Sequence, residues 1–325
     1  MDGDAFEQLA RTLRASASVA AKADIGRVAE QLGLSPGSSI PVGDDCAAIP
    51  DGDSYLLLAI EGFINEFVAA DPWFAGWCGA MVNISDVAAM GGRPIAVVDA
   101  VWADGGERAA PILAGLRAAA EAFAVPIVGG HANMRADRRQ LSVAILGRAK
   151  RLLTSFDARP GDRLVAAIDL RGRYREPFAN WDAATSAPVA RLRLDIELLP
   201  RIAEAGLCRA AKDISQGGIV GTAAMLAECS GVGIRIDVRA VPKPHSAPVD
   251  RWLMTFPSFG YLLAVAPGDV GAVTRRFSER DIAAADIGGV FEGAEVAIAD
   301  GETVEVIWDF GRASLIGAPR RETVA

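Results

Sequence analysis

Between residues 73 and 92 the chain reads WFAGWCGAMVNISDVAAMGG. Asp71 ahead of it is a helix N-cap, Pro72 suits the first turn, and Gly91 and Gly92 are a stop, so a helix is expected from Asp71 to about Met90. Trp77, Met81, Val82, Ile84 and Val87 surround its axis and leave no solvated side of the usual charged kind. A helix that is apolar all round belongs inside a domain, with other elements packed around it. The chain has 325 residues, 51% of them hydrophobic. That is enough for two cores, because single cores stop growing near about 250 residues.

This buried helix carries Asn83 and Asp86, three residues apart and so on one face, with Gly76, Gly79 and Met90 close to it. A carboxylate in such a place takes up a proton or finds a cationic or hydrogen-bonding partner. Asp86 therefore caps a neighbouring loop, pairs with an arginine, or faces a metal ion. The small residues beside it leave room for a ligand or for another backbone.

Upstream, GDDCAAIP at residues 43 to 50 sets Asp44 and Asp45 between Gly43 and an apolar run. Successive residues of an extended chain point to opposite faces, so the two carboxylates need not share one site. An Asx turn after the glycine is the plain structural alternative. If either acid meets Glu61 and Asp86, the converging carboxylates require a hard divalent cation. Magnesium takes oxygen ligands and commonly binds substrate phosphates as well. Four separate surface acids are the competing arrangement.

The remaining pattern is mixed. Two short helices are expected within residues 5 to 34, one presenting Phe6, Leu9 and Leu13, the other Ile25, Val28 and Leu32. LSPGSSIPVG reads as a loop. SYLLLAIEG, RPIAVVDAVWA, VPIVGGHAN and LSVAILG read as strands, and PILAGLRAAAEAF as a helix. Turn chemistry in RPGD places a domain boundary near residue 150. Beyond it come the strand DRLVAAIDL, a helix around LDIELLPRIAEAG, a strand and glycine loop in AAKDISQGG, a helix ending at Gly231, and one more helix near DVGAVTRRFSERDI.

Several function classes are set aside. The formal charge of −8 opposes a nucleic-acid partner, which needs a concentrated basic face. No apolar run reaches the roughly 18 residues of a membrane span, and MDGDAFEQLA lacks the order of a signal peptide, so a soluble cytoplasmic protein is expected. Cys46, Cys78, Cys208 and Cys229 form no C-x-x-C pair. No P-loop, G-x-G-x-x-G after a strand, or nucleophile elbow is present. Two glycine turns remain of interest. GGHAN exposes backbone amides at Gly129 and Gly130 next to His131, which can donate a hydrogen bond or ligate a metal. KDISQGG places Asp213, Ser215 and Gly217 ahead of a helix N-terminus, an arrangement that suits an anion. The arginines of RGRYRE and MRADRRQ are ordinary solvated charges, and Asp99 within an apolar strand is open to a structural or a functional reading.

Taken in order, GDDCAAI, a strand ending in an acid and glycine, NISDVAAMGGRP, PIVGGHAN and KDISQGG make the chain resemble the aminoimidazole ribonucleotide synthetase (PurM-like) superfamily. That group includes thiamine monophosphate kinase, selenophosphate synthetase, a carbamoyl-dehydrating hydrogenase maturation factor and formylglycinamidine ribonucleotide synthetase. The resemblance spans nearly the whole chain, and its N-x-S-D-x-A-A-M-G block with an upstream G-D-D is specific. It implies an α+β fold of two domains. Residues 1–150 would bind ATP and magnesium and pair their sheet with a second copy in a homodimer, and residues 151–325 would form a domain covering an ATP-binding cleft.

The same resemblance implies that Asp44, Asp45, Glu61 and Asp86 hold Mg2+ on the ATP phosphates. It implies nucleotide contacts at Gly43, Asn83, Gly129, Gly130, Ser215 and Gly217, and catalytic roles for Asp45, His131 and Asp213. The implied activity is ATP-dependent phosphorylation or activation of a small molecule, of phosphotransferase or ligase type. Thiamine monophosphate kinases have Asp where this chain has Glu61, His131 and Gln216, which argues against that substrate. The N-terminal region lacks the cysteine of a selenophosphate synthetase, and the C-terminus RRETVA lacks that of the hydrogenase factor. E-G after the second strand, K-D-I-S and FPSFG (Phe256 to Gly260) resemble a branch described as synthetase-related. A nucleotide-binding partner protein without turnover is the alternative, and metal-dependent hydrolysis without ATP is a weaker third, with two histidines available as ligands.

Overall fold

The structure, a computed structural model, describes residues 1–34 and 40–317. The middle of the loop read over LSPGSSIPVG and the C-terminal RRETVA lie outside the described residues. In chain order the first half forms α1 (Gly3–Arg14), α2 (Ala17–Ala20), α3 (Ala23–Gln31), β1 (Ala47–Asp51), β2 (Ser54–Gly62), α4 (Asn65–Ala70), α5 (Pro72–Ala89), β3 (Arg93–Asp104), α6 (Gly106–Phe123), β4 (Ile127–Asn133) and β5 (Arg135–Ala149). The second half forms β6 (Arg163–Ile168), β7 (Arg173–Arg175), β8 (Asn180–Asp182), α7 (Val189–Asp195), α8 (Leu198–Glu204), β9 (Ala210–Asp213), α9 (Gly218–Ser230), β10 (Gly233–Asp237), α10 (Val249–Leu253), β11 (Gly260–Val265), α11 (Val270–Ser278), β12 (Ala283–Phe291), β13 (Glu295–Asp300) and β14 (Thr303–Asp309). No described helix is long and apolar enough to cross a membrane.

These elements fall into two units. One comprises Asp45–Leu152 and Asp182–Glu204, the other Met1–Asp44, Leu153–Trp181 and Ala205–Ala325. The crossing at Leu152 is near the boundary expected at 150, but two segments change sides. Residues 182–204 return to the first unit, where Arg93 donates to Glu197 at 3.0 Å and Glu204 at 2.6 Å and Arg193 donates to the Ala122 carbonyl. Residues 1–44 join the second unit, where Arg14 donates to the Val306 carbonyl and Glu305.

The first unit is built on a sheet of order β1-β2-β5-β3-β4, antiparallel except where β4 runs parallel to β3. As the sequence demands, α5 is buried along its whole length from Phe74 to Ala89. It packs on β2, β3 and β5 with one side and on α6 with another. Gly76 and Gly115 make the helix crossing possible, since a Cβ on Gly76 would strike the Ile112 carbonyl and one on Gly115 the Trp73 carbonyl. A Cβ on Gly79 would press on Val143 and Leu141 of β5. The small residues of α5 thus admit a neighbouring backbone and the sheet. The opposite sheet face is apolar and open, with Leu58 48%, Ile60 69%, Val98 41% and Leu146 37% exposed. Cross-strand pairing sets Leu58 beside Leu146, and Ala144 between Ile60 and Val98, so these side chains form one patch.

Two helices differ from the sequence reading. The expected helix around LDIELLPRIAEAG is two, α7 and α8, interrupted at Ile196 and Glu197. The ring of Pro200 opposes the carbonyl four residues earlier, that of Ile196, and cannot donate to it. The helix expected to begin at Pro111 begins at Gly106 and contains that proline.

The second unit has a sheet of order β14-β13-β10-β12-β6-β11-β9. There α9 packs on β9, β10, β11 and β13, and α11 on β6 and β12. Phe6, Leu9 and Leu13 of α1 are buried as expected, against β14 and α10. By contrast, Ile25 and Val28 of α3 and Leu32 just after it are exposed. Glu228, buried in α9, accepts from the backbone amides of Leu315 at 2.9 Å and Ile316 at 2.6 Å and so fastens the C-terminal segment.

Candidate functional site

The chain leaves the second unit at Asp44 and enters the first at Asp45, and the two carboxylates part accordingly. Asp44 accepts from the Ser155 amide at 3.1 Å and the Ser155 hydroxyl at 2.7 Å. Asp45 is held toward α5 by its neighbour, because the Cys46 amide donates to the Met90 sulfur at 3.0 Å. Met90 lies one helical turn beyond Asp86. The outcome is a carboxylate oxygen of Asp45 within 4.8 Å of one of Asp86. Asp86 is 4% exposed, on the helix whose burial was legible from the start.

Asn83, one turn before Asp86, is wholly buried. Its amide nitrogen donates to the Gly79 carbonyl at 2.8 Å, and its Oδ1 has no hydrogen-bond partner among the described residues. The two carboxylates are oxygen donors of the kind a hard divalent cation takes, and the Asn83 amide oxygen, with spare acceptor capacity, lies one helical turn before Asp86. Among the described residues, Asp44 and Glu61 lie outside this grouping of close carboxylates.

Glu61 sits near the end of β2, in the row Glu61, Val143, Asp99, Gly130 that runs across four strands. Paired residues share a face, and Val143 faces α5, so Glu61 and Asp99 lie on the helix-covered side of the sheet. Burial raises the Asp99 pKa above the usual carboxylate value, opposed by a hydrogen bond from its own backbone N–H. Gly130 has no side chain at the point where the Asp99 carboxylate packs, and a Cβ there would collide with it. GGHAN, read from the sequence as a glycine turn, lies instead inside β4, where pairing to β3 occupies its backbone: Gly129 pairs with Val98 and His131 with Ala100, which sets His131 on the open face, exposed, 6.5 Å from the ring of Trp102.

In the second unit, Asp213 ends β9 and is 1% exposed. The turn that follows bends at Gly217 and Gly218, both left-handed with φ of 93° and 63°, as α9 begins. The Ser215 amide donates to the Thr222 hydroxyl at 3.3 Å, and Gly43 offers its carbonyl to the Cys229 thiol. Two features of this turn were not singled out in the sequence. Lys22, 8% exposed, reaches the Ser215 hydroxyl at 3.4 Å and the Met225 sulfur at 2.9 Å, and Lys212 is 1% exposed. Lysines are almost never this buried, and the sequence holds only four, but no periodicity marks which of them are internal. Burial also pushes the Cys208 thiol up to about 12, so it is an inert core residue.

Residues 43–149 match the family described as AIR synthase related protein, N-terminal domain, and residues 176–301 match its C-terminal domain. An uncharacterized protein of Synechocystis is 46% identical over 90% of this chain and 91% of its own length. Another from Methanocaldococcus jannaschii is 35% identical over 86% of this chain and 87% of its own. Among solved structures, Thermotoga maritima PurL complexed with ATP superposes with a TM-score of 0.72 at 19% identity, covering 88% of this chain and 49% of that one. AaThiL complexed with AMPPCP and TMP superposes with a TM-score of 0.64 at 22% identity, covering 85% of this chain and 93% of that one. The chain thus spans about half the length of the PurL chains it matches. These likenesses share one architecture, a two-domain α+β PurM-like fold, and with the matched sequence domains they establish that the chain belongs to the AIR synthase related family.

Proposed function

We propose that this protein is an ATP- and Mg2+-dependent enzyme that phosphorylates or activates a small molecule, of phosphotransferase or ligase type. The observation that carries the reading is the Asp45 and Asp86 carboxylate pair, within 4.8 Å, on and beside a buried helix. Carboxylate oxygens this close together suit a shared hard divalent cation, and an oxygen-only donor pair favours magnesium. Asp45 and Asp86 would hold the ion, with the Asn83 amide oxygen beside them, and the ion would neutralise phosphate charge. Nucleotide-bound PurL and ThiL structures of the same fold support ATP as the nucleotide. Asp213 is proposed as a catalytic group, whereas His131, on the sheet face opposite α5, is not brought to the carboxylate pair. The open apolar face carrying Leu58, Ile60, Val98 and Leu146 supports a homodimer through this sheet.

Phosphoryl transfer asks little covalent chemistry of the protein, chiefly positioning and charge neutralisation. Acids on and beside a rigid helix, and the glycine turn that leads into α9, supply both. Calorimetric titration with ATP, in magnesium and then in excess chelator, tests this directly. Metal-dependent binding is expected, and its absence refutes the proposal.

A second reading is nucleotide binding without turnover. The exposure of His131 on the sheet face opposite α5 favours it. ADP release across a panel of small acceptors discriminates the two, since a binding-only protein releases none above background.

A further inference from the structure

The FPSFG segment, Phe256 to Gly260, was notable in the sequence without a role, and the structure supplies one. We propose that Ser258 is a positioning residue for Asp213, an inference that rests on the catalytic role proposed above for that carboxylate. The Ser258 hydroxyl donates to Asp213 Oδ2 at 3.0 Å. Its backbone is left-handed, with φ of 46°, a conformation uncommon for a residue with a side chain and retained where the surroundings over-determine it. Here they do. The Ser258 amide donates to the Ile214 carbonyl at 3.0 Å, and the Ile214 amide donates to the Gly260 carbonyl at 2.9 Å. These two bonds continue the β9–β11 pairing past the pair of Asp213 with Tyr261, and they fix the serine over the carboxylate.

The same segment braces the other end of the turn. A Cβ on Gly218 would strike the Leu253 carbonyl and Met254, so the chain from Leu253 to Gly260 touches the Asp213 to Gly218 turn at its first and last residues. The brace is anchored by aromatic packing. Trp252, fully buried, meets Phe259 at 5.2 Å and Trp181 at 5.0 Å between ring centroids. A carboxylate that must be aimed to within a fraction of an ångström gains from such a mount, since small misplacements cost large factors in rate.

Substitutions at residue 258 separate this role from a purely structural one. Ser258→Gly suits the left-handed backbone but takes the hydroxyl donor from the buried Asp213 carboxylate; the two effects oppose, so its melting temperature is expected to stay within a few degrees of the wild type. Its ADP release at saturating Mg–ATP is expected to fall roughly 10-fold or more, with KM for ATP little changed. Ser258→Thr keeps the hydroxyl but strains a β-branched residue, so it should melt earlier and retain most of the rate. If activity follows melting temperature across the two variants, or if Ser258→Gly matches the wild-type rate, Ser258 does not position Asp213 and the proposed function is untouched. If the wild type itself neither binds Mg–ATP nor releases ADP, the proposed function fails and this inference fails with it.

Discussion

Asp44 and Asp45 are neighbours in sequence with different partners, and their substitutions should separate cleanly. Ser155, fully buried, gives Asp44 both its amide and its hydroxyl. Asp44→Ala leaves those donors without their acceptor and should cost about 1–3 kcal/mol in chemical denaturation; a loss below about 0.5 kcal/mol would show the contact to be incidental. Asp99 offers a pH test. Its folded pKa is raised by burial, so its contribution is favourable below the unfolded value of about 3.9 and is lost as pH rises through the folded value. Asp99→Asn should therefore raise the melting temperature at pH 7, with the gain shrinking toward pH 4 and below; a pH-independent gain would contradict this origin. At this scale the sequence was informative about type and burial. The helix pattern alone placed Asp86 in the interior, whereas the alternation rule allowed Asp44 and Asp45 to face different sites without deciding it, and the family resemblance assigned both to the metal. Which of the two would turn toward Asp86 depends on the Cys46 to Met90 contact, a tertiary event with no local signature.

The crossing of α5 and α6 depends on the reciprocal glycines Gly76 and Gly115. Gly115→Ala should lower stability by about 1–3 kcal/mol through overpacking against the Trp73 carbonyl, although alanine is the better helix former. Thermal or urea unfolding measures it, and a stabilised variant would mean that the helices can move apart freely. In α9 a different device operates: Glu228→Ala removes the acceptor of two buried amides and should cost about 2–4 kcal/mol, readable as a shift in urea midpoint. Element type was legible wherever periodicity ran long, as in α5 and in β3 and β5. It failed where a single proline decided the outcome. Pro200 divided an otherwise regular helical pattern, whereas Pro111 was absorbed into α6, and only the surrounding packing distinguishes the two cases.

For the molecule as a whole, two domains followed from chain length and the α+β architecture from the family resemblance carried by motif order, but the membership of the units did not. Residues 1–44 and 182–204 change sides through long-range ion pairs and carbonyl contacts, Arg14 with Glu305 and Arg93 with Glu197 and Glu204. Charged residues of this kind look solvated in a linear sequence. The proposed homodimer seats on the open sheet face, so wild type is expected to sediment as a dimer and Ile60→Asp, at a site 69% exposed, as a folded chain of 33.9 kDa in analytical ultracentrifugation; a monomeric wild type would refute the dimer. An unchanged dimer would mean that another surface is used. The central claim is that Asp45 and Asp86 form a cation site serving a bound nucleotide, and calorimetry of wild type and Asp86→Asn with ATP in magnesium tests it most directly. The variant, folded and with melting temperature equal to or above that of the metal-free wild type, is expected to lose magnesium-dependent ATP affinity by about 10-fold or more, at least the effect of losing an outer-shell partner of a metal ligand; equal affinity in the two proteins would rule out the cation site.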